Sequence, residues 1–247
     1  MWLINSSIGK KVLMSLTGLF LVLFLAFHAC MNFVAVFSLE AYDAVCGFLG
    51  ANWYAVVGTL VLAGGLLAHF GIASKLSISN GDARGQKYEV EGNAPGVEWA
   101  SKNMFVLGLI VLIGAAIHLY IFWSKMMFAE LAGIEEGQVV NFAGAYGVNE
   151  VTVSPTEGGK LLLYWFSQPV MVVLYLVWLV AIWFHLSHGV WSAFHTIGLN
   201  NNVWLCRWKM IANVVATILM LMFAFVVVYF FVLSLMNCEC AKAYLLG

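Results

Sequence analysis

Charged residues are scarce in this sequence. Asp, Glu, Lys and Arg make up 9% of its 247 residues, and hydrophobic residues make up 63%. A soluble domain is about a quarter charged and about half apolar. The composition therefore excludes an ordinary soluble domain and indicates a membrane protein with several spans. A net charge of −1 gives no indication of nucleic-acid binding, which requires a basic surface.

Cysteine is also uncommon, with five residues in the whole chain. Because the chain is so apolar, we interpret them as small buried side chains rather than as a disulfide framework. Cys238 and Cys240, separated by one residue, are the candidates for a pair or a metal site. An isolated Cys-x-Cys lacks further ligands, so we expect neither there.

Five apolar runs are long enough for membrane helices, which need roughly 20 residues. They lie at about 12–37, 53–74, 103–123, 162–191 and 210–236. We expect an all-α membrane protein in which residues 1–247 form one transmembrane domain, a five-helix bundle. Lys10 and Lys11 precede the first run as in a signal peptide. The run is too long for one and lacks a small-residue cleavage site, so we expect it to stay attached.

Basic residues are distributed unequally between the two ends of the spans. Eight lie on one side and three on the other: Lys10, Lys11, Lys75, Arg84, Lys87, Lys102, Arg207 and Lys209, against Lys125, Lys160 and Lys242. The positive-inside rule then places the N-terminus inside the cell and the C-terminus outside.

The inner loop 76–101 is polar, contains the turn formers Asn80-Gly81, Arg84-Gly85 and Pro95-Gly96, and is long enough to dock a partner. In the outer loop 126–160, with its acids Glu130, Glu135, Glu136, Glu150 and Glu157, we expect a short helix or hairpin near 138–153.

Histidine is expensive inside a membrane, yet five of the six histidines fall in the predicted spans. At 1.5 Å per residue, His28 and His118 lie roughly 25 Å and 24 Å from the inner edge. His69 lies roughly 9 Å from that edge, and His185 lies roughly 15 Å from His195 at the membrane exit. The depths therefore predict an outer pair, His28 with His118, and an inner pair, His69 with His185.

Two imidazoles that face each other across a bundle suit one large planar group, and haem b is the natural candidate. Small residues about one turn from three of the histidines predict space beside the rings. They are Gly65 before His69, Gly114 before His118, and Ala181 and Gly189 around His185. Only His28 departs from this pattern, because the residue one turn after it is Asn32, which is not small. We predict two haems b with these histidines as iron ligands, and the choice between His185 and His188 at the inner level stays open at this point.

Other interpretations fit some of the same residues. Intramembrane histidines also hydrogen-bond between helices without a cofactor, as in a transporter or a haem-free assembly protein. A bare metal ion fits less well, because each level offers two nitrogens and no carboxylate or paired thiol.

His188 shares nearly the same face as His185, and depth alone slightly favours it. His195 fits an interfacial polar residue. Basic residues at the inner edge anchor the chain, and one or two of them could also pair with haem propionates: Lys10, Lys11, Arg84 and Lys87.

Taken together, the spans resemble the five-helix cytochrome b membrane subunit of succinate:quinone oxidoreductases and fumarate reductases, the single-anchor type with two haems. The likeness covers essentially all five spans. Its motifs are the opening segment 6–18 with Phe27-His28-x-x-x-Asn32, Ala68-His69-Phe70-Gly71, Ile117-His118-Leu119-Tyr120, and Phe184-His185-x-x-His188-Gly189-x-Trp191-Ser192. The last motif is the most specific.

The resemblance implies that His185, four residues before Gly189, is the fourth-span ligand and that His188 is not. It also pairs His28 with His118 and His69 with His185, as the estimated depths do. It also implies flavoprotein and iron–sulfur subunits on the cytoplasmic face of a bacterial inner membrane. Electrons would pass between their clusters and a membrane quinone, menaquinone in this branch, and the dicarboxylate site would lie on another subunit.

One position departs from the family pattern. Some menaquinol-oxidising relatives carry a glutamate two residues before the fourth-span ligand, where this chain has Trp183, which puts a transmembrane proton route in doubt. The family's quinone site lies near the outer haem and includes a carboxylate after the first helix. Glu40 and Asp43 are the candidates, although solvated loop acids are the simpler interpretation. The nearest alternative function is the cytochrome b anchor of a membrane hydrogenase or formate dehydrogenase.

Overall fold

A computed structural model of the chain describes residues 6–82, 99–134 and 137–247. Most of the described residues are helical. In chain order the helices are α1 Ser7–Phe33, α2 Leu39–Phe48, α3 Trp53–Asp82, α4 Trp99–Lys102, α5 Met104–Ile121, α6 Met127–Leu131, α7 Gly158–Phe166, α8 Pro169–Thr196, α9 Trp204–Leu235 and α10 Glu239–Leu246. Two strands, β1 Gln138–Asn141 and β2 Glu150–Val153, and three short 3-10 turns, Val34–Val36, Trp123–Lys125 and Ala145–Gly147, complete the list.

Five of the helices are long and apolar enough to cross a membrane, as in a multi-pass membrane protein: α1, α3, α5, α8 and α9. This confirms the five predicted spans. Many of their large apolar side chains are exposed, such as Leu67 and Val170, each 71% exposed. Exposed apolar side chains on such helices suit contact with lipid.

The bounds of the second and fourth spans differ most from the prediction. The fourth was expected at 162–191, but α7 ends at Phe166 and α8 begins at Pro169. Proline has no N–H to donate and disfavours helical geometry in the preceding residue, so it suits the first turn of a new helix. The second span was expected to end at 74, whereas α3 continues to Asp82 through Asn80-Gly81, so the turn predicted there is wrong.

The prediction for Cys238 and Cys240 is also wrong. Their sulfur atoms form a disulfide, with the two Cα atoms 5.4 Å apart. Asn237, just before it, has a left-handed backbone conformation with φ 46°. This turn separates α9 from α10, and the Cα separation of the two cysteines lies in the range that a disulfide requires.

The outer loop contains the predicted hairpin. Strands β1 and β2 pair antiparallel, with Gln138 opposite Val153 and Asn141 opposite Glu150. Tyr146, in the connecting turn, has a φ of 56°. Its side chain is fully buried, and its hydroxyl donates a hydrogen bond to the Phe230 carbonyl at 2.9 Å. The tyrosine therefore fastens the hairpin to α9.

The chain divides into two compact units, each assembled from three stretches. Unit 1 comprises Met1–Leu25, Leu60–Val111 and Ala181–Ile218, and unit 2 comprises Ala26–Thr59, Leu112–Val180 and Leu219–Gly247. The core of unit 2 is the larger and includes Phe122, Leu163 and Phe230. That of unit 1 is formed by Ala100, Leu107 and Ala181.

Several predicted residues lie outside the described residues. Most of the inner loop is among them, with its expected docking surface and the turns at Arg84-Gly85 and Pro95-Gly96. Lys87 and the outer-loop acids Glu135 and Glu136 are also outside.

Candidate functional site

The four predicted ligands lie together in two pairs, one in each unit. His28 on α1 and His118 on α5 belong to unit 2, and their ring centroids are 5.8 Å apart. His69 on α3 and His185 on α8 belong to unit 1, and their ring centroids are 6.3 Å apart. The pairing that the depths predicted is therefore present in space.

Both separations suit two imidazoles that share one metal ion. Two metal–nitrogen bonds of about 2 Å each, together with the ring radii, separate the centroids by about 6 Å. The rings are inclined at 88° in the His28–His118 pair and at 71° in the His69–His185 pair. Axial imidazoles can adopt any mutual rotation about a common metal axis, so these angles are compatible with haem ligation.

Two of the histidines have one ring nitrogen held by a hydroxyl. His69 Nδ1 lies 3.1 Å from Thr17 Oγ1. The Thr17 hydroxyl also donates to the Leu13 carbonyl at 2.9 Å. Since a hydroxyl has one proton, Thr17 accepts from the Nδ1–H group of His69. The lone pair of Nε2 is then available to a metal.

The second hydroxyl belongs to the other pair. His118 Nδ1 lies 3.1 Å from the hydroxyl of Tyr175, a largely buried residue of α8. Phe122 and Trp178 pack against the same imidazole, with ring centroids 5.2 Å and 5.9 Å away. This arrangement fixes the orientation of His118. In the tautomer in which Nδ1–H donates to the Tyr175 oxygen, Nε2 is available to a ligand.

His28 and His185 have different surroundings. The amide Nδ2 of Asn32 donates to the His28 carbonyl at 2.9 Å and lies 3.3 Å from the His28 ring nitrogen Nδ1. Asn32 is held in turn by Tyr42, whose buried hydroxyl donates to Asn32 Oδ1 at 3.1 Å. By contrast, Nδ1 of His185 is buried and has no hydrogen-bond partner among the described residues. An orphaned buried nitrogen is costly, which is compatible with a ligand that the protein alone does not supply.

The glycines predicted to open space beside the histidines do not do so. Packed side chains occupy those faces. A Cβ at Gly65 would lie 2.9 Å from the Phe20 ring, one at Gly114 would collide with the Trp178 indole, and one at Gly189 would lie 3.3 Å from the Met104 methyl group. Ala181, the fourth small residue, is buried in the core of unit 1.

Two other glycines face the imidazoles instead. A Cβ at Gly18 on α1 would lie 3.2 Å from Cε1 of His69, and one at Gly108 on α5 would lie 3.4 Å from Cε1 of His185. Both glycines come from helices other than those that carry the histidines. Small residues one helical turn from a histidine in the sequence are neighbours on the same helix. That spacing therefore could not identify glycines on a different helix.

The remaining two histidines of α8 are His188 and His195. His188 packs edge-on against Trp191, with ring centroids 4.9 Å apart. His195 Nδ1 contacts the side-chain amide of Asn200. Trp183, where some relatives of the resembled family have glutamate, donates from Nε1 to Thr217 Oγ1 at 2.9 Å.

The two candidate carboxylates have different environments. Glu40 is exposed in the first turn of α2, where Ser38 Oγ donates to it at 2.8 Å; backbone and Ser38 hydrogen bonds lower the pKa of this carboxyl. Asp43 is half-buried and accepts from the Gly159 N–H at 2.8 Å and from the Tyr244 hydroxyl. Burial raises the pKa of the Asp43 carboxyl, and these two hydrogen bonds oppose the shift. Asp43 thus links α2 to α7 and α10.

Across residues 6–82, 99–134 and 137–247, no group of three or more His, Cys, Asp or Glu side chains is placed to hold a metal ion. Each pair is a site of two nitrogens. Such a donor set fits a metal whose other positions are filled by a cofactor's own atoms, as in haem.

Comparison with protein-family models, with curated protein sequences and with solved structures finds no match to this chain. The function is therefore argued from the histidine pairs and their surroundings.

Proposed function

We propose that this chain is the dihaem cytochrome b membrane anchor of a succinate dehydrogenase or fumarate reductase complex. It would pass electrons between iron–sulfur clusters of cytoplasmic subunits and a membrane quinone. The observation that carries the proposal is the juxtaposition of four histidines from four apolar helices, in pairs 5.8 Å and 6.3 Å apart. Two bis-histidine haems need this number and arrangement of ligands.

In this proposal His28 and His118 hold one haem, and His69 and His185 hold the other. When bound, the haems supply one-electron carriers within the membrane. The protein holds and orients their ligands: Thr17 acts on the His69–His185 pair as the hydrogen-bond partner of His69. The corresponding partner of His118 is Tyr175. Hydrogen bonds of this kind set the orientation and basicity of ligating histidines.

The quinone, menaquinone by resemblance, would bind near the His28–His118 pair. The resembled family has a carboxylate in its quinone site, and Glu40 is the better candidate for it. Asp43 already accepts two hydrogen bonds that join helices. Trp183 is engaged with Thr217, and it offers no carboxylate for a proton route across the membrane. Proton exchange with the quinone would therefore take place at one face only.

The partners are a flavoprotein and an iron–sulfur subunit on the cytoplasmic face of a bacterial inner membrane. This is the side that the positive-inside rule assigns to the N-terminus. The Cys238–Cys240 disulfide supports the same orientation, because disulfides persist in oxidising compartments and are rare in the cytosol. The C-terminal end would then lie outside.

The proposal is tested by spectroscopy on the purified full chain and its complex. We expect a b-type α band in the dithionite-reduced minus oxidised spectrum, and two haems per chain. His185→Ala should lose one haem. His188→Ala, the matched control one turn away, should retain both, because the family motif makes His185 the ligand and the His188 ring packs against Trp191.

The absence of any b-type band would refute the haem assignment and favour a transporter or a haem-free assembly protein. Two haems in the His185→Ala variant would show that the ligand is misassigned. Hydrogenase or formate dehydrogenase subunits in the purified complex would instead identify the chain as the membrane anchor of one of those enzymes.

A further inference from the structure

Tyr42 of α2 is joined to the His28–His118 pair through one residue, Asn32 of α1. The Tyr42 hydroxyl lies 3.1 Å from Asn32 Oδ1, and Asn32 stands about one turn after His28 on the same helix. All of these residues belong to unit 2. Helix α2 lies outside the five candidate membrane spans. The contact therefore connects a helix beyond the membrane segments to a candidate haem ligand within one of them.

The direction of these hydrogen bonds follows from the backbone carbonyl of His28. Asn32 Nδ2 lies 2.9 Å from that oxygen, which can only accept. The amide nitrogen must therefore face His28, and Oδ1 must face Tyr42. Tyr42 is then the donor in its contact with Asn32. Burial raises the pKa of the Tyr42 phenol, so the hydroxyl keeps the proton that it donates at neutral pH.

The Asn32 amide lies over the face of the His28 ring. Its Nδ2 atom is 3.3 Å from Nδ1 and 3.4 Å from Nε2 of the imidazole. An atom in the ring plane at nearly equal distances from both nitrogens would collide with a carbon atom of the ring. The amide N–H group therefore meets the π electrons from above or below the plane. This contact does not use the lone pair by which His28 would bind iron.

Tyr42 itself is held firmly. The residue is 7% exposed and belongs to the core of unit 2. A Cβ at Gly158, the first residue of α7, would lie 3.1 Å from Tyr42 Cε1, so α7 packs directly on the ring. The next residue of α2, Asp43, accepts from the Gly159 N–H at 2.8 Å and from the Tyr244 hydroxyl. These contacts fasten α2 to α7 and α10 and give the Tyr42 hydroxyl a fixed position.

We infer that Tyr42 is a positioning residue for the haem of the His28–His118 pair and that it acts through Asn32. It holds the Asn32 amide with its N–H group on the His28 ring. This fixes the plane of the imidazole and places the positive end of a dipole beside an iron ligand. Such a dipole favours the reduced haem, because reduction removes one positive charge. The inference rests on the proposed function, since it requires haem at this pair.

Redox titration and electron paramagnetic resonance of the purified complex test the inference. Tyr42→Phe keeps the ring and removes the hydroxyl that orients the Asn32 amide. We expect the midpoint potential of one haem to fall. The g values of the same oxidised haem should also change, because they depend on the angle between the two axial imidazole planes, 88° in this pair. The other haem should keep its potential and its g values.

Asn32→Leu tests whether Tyr42 acts through the amide. This variant should lower the same midpoint potential. In the double variant Tyr42→Phe should add nothing further, because residues that act through one shared contact are not additive. Additive shifts would show that Tyr42 acts by another route and would overturn the inference.

Tyr146→Phe is the matched control. Tyr146 is also buried in unit 2, and its hydroxyl donates to the Phe230 carbonyl at 2.9 Å, so the variant loses a comparable hydrogen bond. It should leave both potentials unchanged, whereas a general loosening of unit 2 would shift them in both variants. Equal shifts in the two tyrosine variants, or two haems with unchanged potentials in Tyr42→Phe, would overturn the inference alone. A wild-type chain without haem would refute the proposed function and this inference with it.

Discussion

Each paired histidine has a different neighbour, and this difference distinguishes the two pairs chemically. Thr17 accepts from His69, Tyr175 contacts His118, and Asn32 contacts His28. In metal sites, mutation of such hydrogen-bond partners typically costs 10–100-fold in metal affinity or activity. The Thr17 and Tyr175 contacts could not be read from the sequence, because each depends on which helix faces meet. Asn32 lies four residues after His28 on the same helix, so the sequence already indicated this neighbour.

The Thr17 contact leads to a prediction at this scale. Thr17→Val keeps the shape of the side chain and removes the acceptor of the His69 Nδ1–H group, which should destabilise the chain by about 1–3 kcal/mol. The imidazole also becomes a weaker electron donor, so the midpoint potential of one haem should rise in a redox titration. Tyr175→Phe serves as the crossed control and should shift only the other haem. Both variants acting on the same haem would contradict the assignment of the two pairs.

Among the helices, the close approach of α1 and α3 in unit 1 depends on glycine. Gly18 of α1 faces the His69 ring of α3. The hydrophobic runs predicted which segments are helices and at what depth their histidines lie, because both follow from the linear spacing. They could not predict that Gly65 would meet Phe20, since nothing in a linear pattern states which neighbouring helix lies on a given face.

Gly18→Leu should therefore destabilise unit 1 and reduce haem at the His69–His185 pair. Even a Cβ at Gly18 comes within 3.2 Å of the ring, and overpacking of this kind costs about 1–3 kcal/mol. Gly71→Leu on α3 is the matched control, because a Cβ there meets nothing within 4 Å. Thermal unfolding of the detergent-solubilised chain and its haem count provide the measurements. Equal stability and haem content in both variants would show that Gly18 is not needed for the site.

For the whole molecule, the central property is that each compact unit contains one histidine pair. The composition predicted a multi-pass protein, and the distribution of basic residues predicted its orientation. The cysteine count did not predict the disulfide, because pairing depends on the local backbone geometry rather than on the number of cysteines.

Cys206 and the Cys238–Cys240 pair lie near opposite ends of α9. A helix of 32 residues is about 48 Å long, more than the roughly 30 Å hydrocarbon core, so the two sites should face opposite compartments. In intact bacterial cells, a membrane-impermeant reductant followed by an impermeant maleimide should label Cys238 and Cys240. Cys206, which is exposed, should react only after permeabilisation. Variants that retain only one of these sites, with the other cysteines changed to Ser, separate the signals. The reverse pattern would invert the orientation, and labelling of both sites in intact cells would show that α9 does not cross the membrane.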